Sequence, residues 1–156
     1  MFFRIIQNKK VRIIVLSLFL IAVSFLVWRD YRERDKVEQA FNSFVKNKDF
    51  TSVEFDLHVN DRSLENQVMD PRTMEELWTI IKDAKPGSGP RRVYDILFII
   101  HFNQTDGTTV TVDLRKDVDS EQVSIAFYLP GKAGYSLNGK DPNNVINRLV
   151  MDYVSL

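Results

Sequence analysis

The 156-residue chain carries 21 Lys+Arg against 21 Asp+Glu and no cysteine. Without cysteine there is no disulfide scaffold, zinc–thiolate centre or thiol nucleophile, and an apolar content of 44% excludes a disordered chain. The zero net charge hides an asymmetry: residues 1–29 hold five basic residues and no acidic one, leaving 16 basic against 21 acidic in residues 30–156, and that net of −5 argues against a nucleic-acid partner.

Residues 1–12 read as a basic tail. The run Ile13 to Trp28 contains no charge, and its only polar side chains are the hydroxyls of Ser17 and Ser24, which can bond back to helical carbonyls. Sixteen residues rise about 24 Å as a helix, against a hydrocarbon core of about 30 Å. Val11 lengthens the span if Arg12 snorkels outward, and Trp28 and Tyr31 fall where an aromatic belt lies. A membrane-spanning helix carried by Ile13, Leu16, Leu20, Val23, Val27 and Trp28 is therefore expected. The rival reading is a cleaved signal peptide with its site at Ala22-Val23-Ser24, but Phe25 to Trp28 carry the apolar run past it. Arg4, Lys9, Lys10 and Arg12 precede the span while Arg29, Arg32, Arg34 and Lys36 follow it, which is nearly a tie under the positive-inside rule. The short basic tail favours a cytoplasmic N-terminus with the globular part on the extracytoplasmic side. Asn103-Gln104-Thr105 is a glycosylation sequon, relevant only in a eukaryotic lumen.

Residues 29–50 read as a juxtamembrane amphipathic helix with Val37, Ala40, Phe41, Phe44 and Val45 on one stripe, docked on the domain or lying along the membrane surface. Ser52 to Asp61 alternates, with Val53, Phe55, Leu57 and Val59 on one face. Asp61 to Asp70 is polar and reads as a loop. A helix follows from Pro71 to about Lys85, capped by Asp70 and opened by Pro71. Glu75 and Glu76 complement its dipole, and Met74, Leu77, Trp78, Ile81 and Ala84 form its buried stripe. Pro86-Gly87-Ser88-Gly89-Pro90 ends it in a loop.

Three strands are then expected: Val93 to Phe102, with a partly apolar second face; Thr108 to Leu114, after a turn at Thr105-Asp106-Gly107; and Gln122 to Leu129, after a charged turn from Arg115 to Ser120. A turn at Pro130 to Gly134 leads to a short strand at Tyr135 to Leu137. Asn138-Gly139 reads as a turn, and a last helix from Pro142 to about Val154 is capped by Asp141. Sequential strands with tight turns imply an antiparallel meander. The expected class is α+β: a single transmembrane helix, then residues 51–156 as a sheet of four to five strands covered on one face by two amphipathic helices. The first strand pairs either at an end of the meander or beside the strand at 93–102.

Strand parity places Glu54, Asp56 and His58 on the polar face of their strand, with Asp95, His101 and Asp113 on the matching faces of theirs. Carboxylates and imidazoles on one surface suit a divalent metal or acid–base chemistry, although their spacing fits no metal motif. Gly131-Lys132-Ala133-Gly134 has the form of a KH-type GxxG loop, but here it joins two strands, and a hairpin turn explains both glycines. Arg91-Arg92 suits a phosphate or headgroup. No nucleophile elbow, Walker loop, dinucleotide fingerprint or H-E-x-x-H occurs, and no cofactor is indicated.

The expected function is a single-pass, membrane-anchored, non-enzymatic module of the cell envelope whose partners are the bilayer and another protein, with no nucleic acid. Its contact surface is the polar sheet face or a sheet edge. Two alternatives stand beside it. One is a membrane-bound metal-dependent or acid–base hydrolase using the polar face. The other is an extracytoplasmic ligand sensor, which needs a cleft of about 300 Å³ or more.

Overall fold

The computed structural model describes residues 9–87, 94–130 and 134–154. Val93, Arg91-Arg92, residues 88–90 and Gly131-Lys132-Ala133 lie outside the described residues. The chain divides into two compact units, Met1–Gln39 and Ala40–Leu156.

Helix α1, Lys9–Asn47, runs without a break through 39 residues. It contains a stretch long and apolar enough to cross a membrane, of which no side chain is buried. Within the first unit Phe25 and Trp28 meet at 5.9 Å between ring centroids, and the Arg32 guanidinium lies 4.5 Å from the Trp28 ring. The helix ends where Lys48, at φ 50°, turns left-handed and its N–H returns to the Phe44 carbonyl.

In the second unit seven strands form one antiparallel sheet. They are β1 Ser52–Val59, β2 Arg62–Val68, β3 Lys85–Pro86, β4 Ile96–Asn103, β5 Thr109–Lys116, β6 Gln122–Tyr128 and β7 Tyr135–Lys140. The order is β2-β1-β4-β5-β6-β7-β3. β1 thus lies beside the long strand β4, with Phe55 opposite Ile100 and Leu57 opposite Phe98. Helix α2, Pro71–Lys82, separates β2 at one edge from β3 at the other, and α3, Val145–Val154, follows β7.

Period-two burial sorts the sheet into an inner and an outer face. Phe55, Phe98, Phe102, Leu114, Ile125 and Phe127 are all buried on the inner side. The helices meet that side through aromatic contacts: Phe44 packs on Phe102, Phe127 and Trp78, Phe41 on Phe127 and Tyr135, and Tyr153 of α3 on Phe55. The stripe read on residues 40–45 therefore packs into this core through Phe41 and Phe44.

Several expectations need correction. The sheet has seven strands rather than four or five, and three helices supply its covering rather than two. Asp61 to Asp70 is not a loop: β2 pairs with β1 as an edge strand and is solvated on both faces, so no alternation marks it. Arg115 and Lys116 belong to β5, not to a turn. Asn138-Gly139 lies within β7, where Gly139 pairs with Val123. Helix α2 stops at Lys82, leaving Ala84 half-buried and Lys85–Pro86 free to pair with β7. Glu75 and Glu76 sit beyond its first turn and instead form ion pairs with Lys48 and Arg148.

The two Asp-Pro segments behave differently. Asp70 caps α2 as its sequence indicates, accepting the N–H groups of Arg72 and Thr73 at 3.0 Å. Helix α3 begins at Val145, not Pro142. Asn144 stands at φ 50°, and the Asp141 carboxylate reaches past it to the N–H groups of Val145 at 2.7 Å and Ile146 at 3.0 Å. The same carboxylate accepts from Lys116 Nζ at 2.9 Å, and both side chains are fully buried.

Candidate functional site

The outer face of the sheet carries five of the six residues placed there from sequence. Register sets them in rows. Glu54 lies opposite His101, and His101 opposite Thr111, which faces Tyr128. Asp56 lies opposite Ile99, Ile99 opposite Asp113, and Asp113 opposite Ala126. His58 faces Leu97, which faces Arg115, which faces Ser124. Asp95 is the exception. It precedes β4, is exposed, and its carboxylate accepts the Val118 N–H at 3.1 Å, so it ties two loops instead of joining the face.

Two side-chain groups form on this face. In the first, His101 bridges Asp56 (Nε2 to Oδ2, 3.2 Å) and Thr111 (Nδ1 to Oγ1, 3.3 Å). The other Asp56 oxygen accepts the Asn66 N–H at 2.8 Å. Asn66 stands at φ 54° where the β1–β2 register shifts, so Asp56 secures a bulge in the edge strand. Such a bulge twists an edge away from unwanted pairing. Burial works to raise the Asp56 pKa, but the Asn66 N–H and the His101 ring outweigh it and hold the carboxyl below its ordinary value. A group of this kind stabilises the fold above its unfolded pKa of about 3.9, and the contribution is lost as pH falls through the lowered folded value. Asp56→Asn should therefore cost about 1 kcal/mol at pH 6. The gap to the parent chain should narrow as the pH is lowered through the carboxylate range, read by urea unfolding along the pH series. An unchanged gap at low pH removes Asp56 from this role.

In the second group, Asp113 pairs with Arg115 at 2.8 Å. Tyr128 shares this environment: burial and the Asp113 charge push its hydroxyl pKa up. Arg115 Nε and Ser124 Oγ are buried without a hydrogen-bond partner. Glu54 accepts only a long bond, 3.4 Å, from Asn103. Among the described residues no group of three or more His, Asp or Glu side chains is placed to hold a metal ion. The face thus divides into a bulge-securing triad and an ion pair, separated by Ile99.

A cleft of about 860 Å³ opens at the far edge of the same unit. The α2 side supplies Glu76, Thr79, Ile80 and Asp83, the strands supply Lys85, Gln122, Asn138 and Lys140, and the start of α3 supplies Val145 and Arg148. Gly139 lets α2 approach: a Cβ there would lie 3.0 Å from Ile125 Cδ1 and 3.3 Å from the Ile80 carbonyl. Sequence reading placed a ligand sensor's cleft between the helices and the sheet but named none of these residues, because the lining comes from separate segments that the β3–β7 pairing and the helix packing bring together.

No family model, curated protein or solved structure matches the chain.

Proposed function

We propose that this protein is a single-pass, membrane-anchored, non-enzymatic binding module. Residues 13–28 span the bilayer, the N-terminus is cytoplasmic, and the globular unit binds another envelope protein on the extracytoplasmic side. The observation that carries the reading is the pairing of an uncharged apolar helical stretch, none of it buried, with a separate unit that has its own packed core. An anchored domain works at high local concentration, so a modest contact surface suffices. The surface offered is the outer sheet face around Leu97 and Ile99, where the Arg115 side chain stays 27% exposed beside Asp113. A protein segment bringing a carbonyl or carboxylate acceptor to the exposed part of that guanidinium adds a charge-assisted hydrogen bond.

The test places a photo-crosslinking amino acid at Leu97 in the full-length chain in its native membrane, with one at exposed Met151 as the control. A discrete adduct at Leu97 that is lost in Arg115→Ala supports the reading. Equal labelling from both positions, or none, sinks the face. The cleft supports a second reading, ligand sensing, since about 860 Å³ exceeds what a small ligand needs.

A further inference from the structure

The cleft also carries a charge pattern that bears on what it binds. At one end Glu76 is paired with Arg148 across α2 and α3, and with Arg72 at 3.6 Å. Asp141 is matched by the buried Lys116. The charged lining residues left over are Asp83, Lys85 and Lys140, a net of one positive charge. Among the described residues neither lysine is held in an ion pair.

Register brings these lysines together. Lys85 lies opposite Asn138, and Lys140, two positions along β7, lies opposite Gln122. Opposed residues in an antiparallel pair share a face, as do residues two apart on one strand. Both lysines therefore flank the Asn138 carboxamide on one side of the sheet, with Gln122 beside them. β3 is only two residues long, so it leaves this end of β7 uncovered. The lysines supply compact point charges with several donors each, and the carboxamides both donate and accept. Ile80, Pro86 and Val145 give the cleft an apolar lining.

On the strength of the ligand-sensing reading, we infer that this cleft binds a small organic oxyanion, with a phosphate or carboxylate seated between Lys85 and Lys140 and a polar body along Asn138 and Gln122. The volume exceeds that of a bare inorganic ion and suits a ligand with such a body. The Glu76–Arg148 pair closes the other end without adding net charge.

The test uses the full chain in phosphatidylcholine nanodiscs, titrated with glycerol 1-phosphate and, separately, citrate, and read by calorimetry and by the shift in melting temperature. Saturable binding is expected to weaken about tenfold or more in Lys85→Gln/Lys140→Gln. It should be unchanged in Lys46→Gln, which removes an exposed lysine from α1. In nanodiscs containing phosphatidylglycerol and no free ligand, a melting shift that the double variant abolishes assigns the anion to a lipid headgroup; binding of the free probes alone assigns it to a dissolved molecule. Either result supports the lysine site. Saturable binding retained by the double variant keeps ligand sensing but overturns this site. No response to any probe overturns both. A chain that fails to enter the discs instead defeats the membrane reading, and the same titrations are then read on the free protein.

Discussion

Lys116→Met is expected to destabilise the globular unit by about 3–5 kcal/mol, the cost of leaving a buried charge without its partner. Lys116 and Asp141 are both fully buried, 2.9 Å apart. Lys116 also donates to Asn144 Oδ1 at 3.1 Å. Asp141 meanwhile holds the first two N–H groups of α3. Removing the ammonium strands a carboxylate that cannot rotate to water without releasing the helix start. Asp141→Asn strands the Lys116 ammonium in the same way, although an asparagine oxygen still caps the helix. Combining it with Lys116→Met removes the stranded charge, so the double variant should be more stable than Lys116→Met alone. The measurement is urea unfolding of the full chain in detergent, in a Trp28→Phe background. Fluorescence then reports Trp78, which packs against Phe44, Phe50 and Phe102. A Lys116→Met chain as stable as the parent, or a double variant less stable than either single one, removes the pair from this role.

That pair also explains why part of the fold was illegible in sequence. Lys116 sits where charged residues cluster, and a lysine there reads as a turn. Only a carboxylate 25 positions later makes it a core residue. β2 escaped for a different reason: as an edge strand open on both faces it has no alternation, and its bulge at Asn66 breaks what pattern remains. Asn138-Gly139 carries a hairpin signature, but Gly139 is there for the close approach of α2 to β7 rather than for a turn. The legible parts were local. The parity of β1, β4, β5 and β6, the Asp70-Pro71 helix start and the Phe41/Phe44 stripe needed no knowledge of distant partners. The polar face was half legible. Parity put Asp56 and His101 on the same side, but their contact required the β1–β4 register. Asp95 was misplaced because β4 begins one residue after it, so strand parity does not apply there.

For the anchor, Leu20→Arg/Val23→Arg should release the full-length protein from the membrane. Twelve of the sixteen residues from Ile13 to Trp28 are Leu, Ile, Val or Phe. At about −0.3 to −0.6 kcal/mol each on the insertion scale, they favour a spanning helix by roughly 4–7 kcal/mol. Each arginine near the centre costs about 2.5–3.5 kcal/mol and removes one favourable residue. One substitution leaves insertion marginal, and two cancel it. Snorkelling gives limited relief here, because at 1.5 Å per residue position 20 lies about 10 Å from the nearer end of the run and position 23 about 7 Å. The expected result is that the parent chain stays with the membrane pellet through an alkaline carbonate wash, Leu20→Arg partitions between pellet and supernatant, and the double variant is washed out. The Trp78 environment should be the same in all three, since the second unit holds that residue in its own core. Intact mass separates an anchor from a removed leader: a mature parent chain beginning near Phe25 means that the apolar run is a processed signal, and the tethered reading fails with it.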